Sequence, residues 1–209
     1  ETVVYADGGA GNGFASAAFD NVVINNQGTV YDDFSTGPLS PNKWDSREMV
    51  REIESGSIRL VSHSTGDRRN VWLDFAEIHP AVETTVRIDG ASKIEPGDRG
   101  VARLGGFFYN DTYGPGAYNQ YQGNVWAAIW IDAYADGSLS ASCTADKTLD
   151  AEDTQWQNLF FRNLNLPIVS DRDYRLSILF TGSRFRFIIK DMVTGRMDVF
   201  LYTVDTAAY

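Results

Sequence analysis

The fold is decided by the stretch YRLSILF (residues 174–180), the turn TGS (181–183) and the stretch RFRFIIK (184–190). Polar and apolar residues alternate in both longer segments. They alternate again in MDVFLY (197–202), after a turn that contains Thr194-Gly195. This period of two is typical of half-buried antiparallel strands, because successive side chains of a strand point to opposite faces of its sheet. The pattern therefore predicts an all-β fold.

Similar short segments recur along the chain, and we expect about a dozen strands. The longest predicted strands span 101–108 and 125–134. The segment 136–137, Asp-Gly, predicts a hairpin with a type I′ turn, because these residues tolerate positive φ. A second predicted hairpin joins 49–53 to 57–61. The expected architecture is a two-sheet antiparallel jelly-roll sandwich.

The length of 209 residues indicates one domain spanning 1–209, with the main sandwich at 29–209. Residues 1–28 contain a glycine-rich loop and are expected to supply two N-terminal edge strands, since an isolated pair of strands is only marginally stable. The chain starts abruptly at Glu1, which is compatible with removal of a leader or upstream region, either in an exported bacterial protein or in a segment cut from a larger one. We expect an extracellular, periplasmic or cell-surface location.

The composition excludes several classes of partner. Asp and Glu total 28 against 18 Lys and Arg, a net charge of −10 that repels nucleic acid and anionic membranes. An anionic polysaccharide would have to meet a local basic patch. No apolar run reaches the ~18 residues of a membrane span, so membrane insertion is not expected. The lone cysteine, Cys143, cannot form an intramolecular disulfide and is predicted to be a small buried residue rather than a nucleophile.

Four segments near the start of the main sandwich resemble the opening of a concanavalin A-like (laminin-G-like) domain. They are Asp32-Asp33-Phe34, Lys43-Trp44, VREI (50–53) and GSIRL (56–60). The late strands that contain 174–176 and 185–187 resemble the paired closing strands of the same superfamily. The resemblance implies two curved antiparallel sheets, with a concave face that binds glycans in many relatives.

An enzyme is the alternative from another class. Glucanases of the superfamily carry a Glu-x-Asp-x-x-Glu strand, but here Glu48 and Glu52 are four residues apart with no Asp between them. The segments REMVR (47–51), EIH (77–79) and YGPGAYNQ (113–120) resemble motifs of alginate-type lyases, with altered arginine spacing and Glu77 where the lyases have Gln. A hydrolase or lyase would use Glu48, Arg51 and His79 as catalytic residues.

The segment from Tyr109 to Trp126 is the predicted binding region. Flat aromatic faces stack on the C–H patches of sugars, and amides hydrogen-bond to sugar hydroxyls. The predicted glycan-binding residues are Tyr109, Tyr113, Tyr118, Asn119, Gln120, Tyr121 and Trp126. An ordinary tyrosine-rich loop over a sheet edge is the other interpretation, and Trp72, Trp130 and Trp156 are predicted to be core residues. The function that follows is a non-catalytic carbohydrate-binding or adhesion-type domain.

Two further predictions concern the N-terminal region. Asp7, Asp20 and Asp32 supply the hard oxygen ligands that calcium prefers, which makes them candidate ligands of a structural calcium ion, although no cofactor is expected to be required. Sandwich edges can also accept a neighbour's strand. A subunit of a surface layer or filament, self-associating through edge strands before Gly28, is therefore a third alternative.

Overall fold

The computed structural model describes residues 2–7, 14–25, 28–35, 39–40, 42–44, 52–54, 56–63, 70–74, 79–89, 99–109, 123–150 and 154–204. Strands and turns account for the regular structure of these ranges, and no helix occurs in them. Correspondingly, none of the described residues belongs to a helix that could span a membrane.

The described part of the chain forms fourteen strands, and most of those predicted from the alternating pattern are present. They are β1 Thr2–Asp7, β2 Phe14–Ile24, β3 Thr29–Asp32, β4 Glu52–Glu54, β5 Ser57–His63, β6 Asn70–Asp74, β7 Ala81–Asp89, β8 Arg99–Tyr109, β9 Val125–Tyr134, β10 Leu139–Thr148, β11 Trp156–Leu164, β12 Tyr174–Phe180, β13 Arg184–Asp191 and β14 Met197–Thr203.

The strands form two antiparallel sheets, which confirms the predicted all-β, two-sheet architecture. The six-stranded sheet has the order β11-β10-β9-β8-β1-β6. The eight-stranded sheet has the order β14-β13-β12-β7-β2-β5-β4, and β3 pairs with β2 beyond the end of β5. One side of the sandwich therefore has β11 and β14 as its two edge strands.

The N-terminal strands are not at an edge, contrary to the expectation for residues 1–28. β1 lies between β6 and β8, and β2 lies between β7 and β5 in the other sheet. Local alternation predicts that a segment is extended, but it does not reveal which strands pair with it. The two strands are neighbours in sequence and belong to opposite layers.

The core lies between the sheets and is built from alternate residues of the strands. In β9 the odd-numbered residues from Val125 to Ala133 face inward and are fully or almost fully buried. The facing layer includes the buried aromatic rings of Phe185 and Phe187 on β13. Cys143 on β10 joins the same core with no exposed surface, which confirms the prediction of a buried cysteine.

The segments Asp32-Asp33-Phe34 and Lys43-Trp44 meet at one corner of the core. The Asp32 carboxylate accepts hydrogen bonds from the Trp44 indole Nε1 at 2.7 Å and from the Phe34 amide nitrogen at 2.9 Å. The hydroxyl of Tyr31 donates to the Lys43 carbonyl, and the Tyr31 ring meets the Trp44 ring edge-on at 5.3 Å. These residues thus have a packing role.

The hairpin between β9 and β10 is present, but its turn differs from the predicted type I′. The Tyr134 amide nitrogen donates to the Ser138 carbonyl at 3.0 Å, so three residues form the loop. Of these, Gly137 alone has positive φ, at 81°. This is the three-residue connection that ends in a left-handed glycine. Asp136 instead accepts a hydrogen bond from the Ser138 amide nitrogen at 2.8 Å.

Candidate functional site

The outer face of the six-stranded sheet carries a second apolar layer, separate from the core. The even-numbered residues of β9 point outward, and Trp126, Ala128 and Trp130 form a buried cluster there with Val101 of β8. Phe107 packs against the same cluster. A strand that is apolar on both faces is covered on both faces, so this outer surface differs from the polar outer face that a solvated sheet has.

The rings of this layer are in direct contact. Phe107 meets Trp126 edge-on at a centroid distance of 5.2 Å and lies 6.4 Å from Trp156. Trp130 lies 5.9 Å from Phe161. The Arg103 guanidinium lies over the Trp130 ring at 4.7 Å, a cation–π distance. The layer therefore continues from β8 across β9 to the edge strand β11.

A buried carboxylate fixes the orientation of Trp130. Asp132 is 2% exposed and accepts a hydrogen bond from the Trp130 indole Nε1 at 2.8 Å. Its other oxygen accepts from Arg99 Nη1 at 3.2 Å. A buried indole N–H is costly unless it has an acceptor, so Asp132 stabilises one orientation of the ring.

The edge strand β11 exposes an alternating set of aromatic and amide side chains on this face. Trp156 is 43% exposed and Phe161 is 57% exposed, while Asn158 and Asn163 are also exposed. In the register with β10, Trp156 lies opposite Thr148 and Asn158 lies opposite Asp146. Phe161 lies opposite Thr144, and Asn163 lies opposite Ser142. We call Trp156, Asn158, Phe161 and Asn163 the aromatic–amide ladder.

A bulge sets the spacing of the ladder. The pairing of β10 with β11 shifts between Ala145 and Asp146, so that Leu159 is passed over and Asn158 and Phe161 share one face. The rows of Trp156 and Phe161 are four residues apart on β10, or about 13 Å at ~3.3 Å per residue. The strand positions that carry the two exposed rings are thus separated by an amide and by more than the width of one sugar ring.

The amides of the ladder are held by hydrogen bonds to β10. Asn158 Nδ2 donates to Asp146 Oδ1 at 2.7 Å and to Thr144 Oγ1 at 3.0 Å. Ser142 Oγ donates to Asn163 Oδ1 at 3.0 Å. Within the described part of the chain, this leaves the side-chain oxygen Oδ1 of Asn158 and the Nδ2 group of Asn163 without protein partners. The ladder therefore offers an acceptor and a donor beside its two rings.

The predicted binding segment begins and ends next to this face. The backbone of Tyr109 ends β8 opposite Val125, and the Gly123 amide nitrogen donates to the Thr148 carbonyl at 2.9 Å. Trp126 lies in the outer layer and is 8% exposed. The other predicted residues, Tyr113, Tyr118, Asn119, Gln120 and Tyr121, lie outside the described residues, and of Tyr109 only the backbone is described.

The sequence pattern alone does not reveal the aromatic–amide ladder. The prediction that Trp156 is a core residue is wrong, because β11 is an edge strand whose outer face is exposed. The alternation in WQNLFFRNL (156–164) indicates an extended segment. Strict alternation would place Phe160 on the face of Trp156 and Asn158, and only the bulge places Phe161 and Asn163 there. Trp130 is buried, but in the outer layer.

Of the candidate catalytic residues, His79 is described. It is buried, and its ring meets that of Tyr31 at 5.2 Å with an edge-on geometry. Glu48 and Arg51 lie outside the described residues. His79 thus adjoins the corner formed by Tyr31 and Trp44, in contact with the core.

The candidate calcium ligands lie on different strands. Asp7 ends β1 in the six-stranded sheet, where only its backbone is described, whereas Asp20 and Asp32 lie on β2 and β3 of the other sheet. Burial raises the pKa of the Asp20 carboxyl above its ordinary value, against a lowering hydrogen bond from the Asn21 amide nitrogen at 2.6 Å. Among the described side chains, no three carboxylate, imidazole or thiol groups are close enough to share a metal ion.

Comparisons with known proteins add no relative. No family model, curated protein or solved structure matches this chain. The functional assignment therefore depends on the chemistry of the surfaces described above.

Proposed function

We propose that this chain is a non-catalytic, extracellular carbohydrate-binding domain of the adhesion type, and that the aromatic–amide ladder contacts the glycan. The observation that carries the proposal is the exposure of Trp156 and Phe161 on one sheet face with Asn158 and Asn163 beside them. The proposal places the sandwich in the jelly-roll, concanavalin A-like class. The two antiparallel sheets and the resemblance of the opening segments support that class.

The rings of the ladder suit the apolar faces of sugars. A pyranose presents a patch of C–H groups that packs on an aromatic face, and an exposed tryptophan or phenylalanine gains when that surface is removed from water. Trp156 is supported by Phe107, and Phe161 by Trp130. Because each exposed ring lies against a second ring, little side-chain freedom is lost on binding.

The amides supply the polar contacts that stacking cannot. A sugar hydroxyl both donates and accepts, and the ladder presents an Asn158 carbonyl oxygen and an Asn163 amide group to satisfy it. Both side chains are already held by Asp146 and Ser142. Since the exposed ladder groups are uncharged, we expect neutral hydroxyl-rich segments of an oligosaccharide as ligands.

The test is titration calorimetry on glycans first selected with a glycan array. We expect Trp156→Ala and Phe161→Ala each to weaken binding by about tenfold or more, the effect of losing a stacked aromatic contact. Val193→Ala is the matched control, because Val193 is 72% exposed in the turn after β13 of the other sheet. Its affinity should equal that of the unmodified protein.

Two outcomes would count against different parts of the proposal. If no glycan on a broad array binds, the assigned function is wrong. If a glycan binds and both ladder variants retain full affinity, the function stands but the ladder is not its site. Thermal unfolding curves of the three variants exclude loss of fold as the cause of weaker binding.

A further inference from the structure

The outer face of the eight-stranded sheet concentrates positive charge in an acidic protein. Arg184, Arg186 and Lys190 occupy alternate positions of β13 and point outward, because the residues between them, including Phe185 and Phe187, are buried in the core. Arg175 of β12 lies directly opposite Lys190. We call Arg175, Arg184, Arg186 and Lys190 the basic face. The whole chain carries a net charge of −10, so this surface runs against its average.

Three of these four cations have no ion-pair partner among the described residues, namely Arg184, Arg186 and Lys190. Arg175 is the exception, since its Nε lies 3.4 Å from Glu83 Oε1. Like charges that share a sheet face destabilise it, and a bound anion would relieve that repulsion.

A shallow depression adjoins the cations. It has a volume of about 150 Å³ and is lined by residues that include Glu83, Ser177, Leu179, Arg186 and Ile188. Ser177 Oγ donates to Glu83 Oε2 at 2.6 Å, which holds that carboxylate toward β12 and Arg175. Arg186 also lines the depression, and its side chain is exposed.

The apolar residues of this face lie between the cations. Ile188 separates Arg186 from Lys190 along β13, and its neighbour across the strand pair is Val199. Leu201, opposite Arg186, is exposed. A ligand on this surface therefore meets aliphatic side chains and guanidinium groups together.

We propose that the basic face is a second binding site, and that it takes an extended anionic polysaccharide with carboxylate or sulfate groups. Guanidinium groups match such anions through paired N–H donors. The cations from Arg184 to Lys190 extend over about 20 Å at ~3.3 Å per residue along the outer face of β13. That geometry suits a polymer lying along β13 better than a small anion, and the aliphatic residues contact its rings. The inference rests on the proposed carbohydrate-binding function for the class of ligand.

The two sites are on opposite outer faces of the sandwich, so they can be tested independently. Polygalacturonate and chondroitin sulfate serve as anionic polymers and dextran as the neutral one, in affinity electrophoresis and calorimetry at several salt concentrations. We expect the double variant Arg184→Gln/Arg186→Gln to bind at least one anionic polymer about tenfold more weakly and with a shallower salt dependence. Arg162→Gln is the matched control, because Arg162 is an exposed arginine on β11 of the other sheet. Trp156→Ala should keep its affinity for the anionic polymer.

Three results would overturn the inference. The first is absence of binding to both anionic polymers by the unmodified protein. The second is an equal loss in Arg162→Gln, which would indicate a response to net charge. The third is equal binding of a DNA oligonucleotide of matched charge, which would make the surface an unselective one for polyanions. Failure of the ladder variants to lose neutral-glycan binding would instead concern the proposed function alone.

Discussion

The indole of Trp126 lies over the backbone of Gly105 on the neighbouring strand. A Cβ atom at Gly105 would come within 2.8 Å of Trp126 Cζ2 and within 3.1 Å of Ala128 Cβ. The missing side chain at Gly105 therefore makes room for the ring. Because Trp126 also contacts Phe107, and Phe107 lies beside Trp156, this glycine determines how the outer aromatic layer reaches the exposed ladder.

Gly105→Ala should destabilise the protein by about 1–3 kcal/mol, the usual cost of forcing extra volume into a packed layer. The indole must shift, so tryptophan fluorescence should change as well. Urea unfolding with fluorescence detection measures both effects. Trp126→Leu provides the internal check, since the double variant should lose less stability than the two single variants added together. Strict additivity would mean that the two residues do not compete for space.

Cys143 is expected to be inert in the folded protein. Burial raises the pKa of its thiol to about 12, and the nearby Asp198 carboxylate adds to that effect. The thiolate is the reactive form, and it is almost absent at neutral pH under these conditions. The rate at which a thiol reagent labels Cys143 in the native protein should therefore be limited by the rate at which the protein unfolds around it. In denaturant, the reagent should label one thiol per chain. Rapid labelling of the native protein at pH 7 would contradict the assigned burial.

Much of the fold could be predicted from particular residues. The strands 174–180 and 125–134 match β12 and β9, because the first alternates regularly between polar and apolar residues and the second is an apolar run followed by the turn residues Asp136-Gly137. The partners of β1 and β2 could not be predicted, because pairing depends on residues far away in sequence. The same limit applies to the site. Whether Trp156 is buried depends on its strand being at an edge, and that is a property of the assembled sheet.

The turn after β13 should make stability depend on pH. Asp191 is buried at the end of β13, and its carboxylate accepts hydrogen bonds from the Val193 and Thr194 amide nitrogens, at 2.8 and 3.0 Å, and from Arg172 Nη1 at 2.8 Å. Burial by itself raises the pKa of Asp191. The hydrogen bonds from Thr194, Arg172 and Val193 outweigh it and hold the pKa well below the ordinary 3.8.

The sign of the effect follows from this lowered pKa. The folded state keeps Asp191 ionised at a pH where the unfolded chain binds a proton, so the stabilisation is complete above pH 3.8 and is lost as the pH falls further. Asp191→Asn should be less stable at pH 7, and the difference should shrink below pH 4. Urea unfolding between pH 2 and pH 7 measures this. Asp171→Asn is the control, because asparagine accepts the positive φ of 56° at that exposed position. A stability difference that stays constant with pH would contradict the assignment.

We expect Asp198 to prevent the edge strand β14 from pairing with a strand of another chain. Met197, Val199 and Leu201 are exposed on a regular strand at the end of the sheet, and such edges readily pair with another chain. Asp198 opposes this, because its carboxylate accepts hydrogen bonds from the Val199 amide nitrogen at 2.8 Å and from the Asn165 amide nitrogen at 2.6 Å. It thereby occupies an edge donor and places a charge where a second strand would dock.

Asp198→Ala should therefore increase self-association through β14, with a concentration-dependent rise in mass in sedimentation velocity. Adding Val199→Pro should reverse the rise, because proline removes the N–H group that the loss of the Asp198 carboxylate uncovers and that a docking strand would use. Asp171→Asn, which also removes one negative charge, should remain at the mass of the unmodified protein. If Asp198→Ala stays monomeric while keeping its fold, the carboxylate does not protect this edge, and the exposed apolar residues of β14 are insufficient to recruit a second strand.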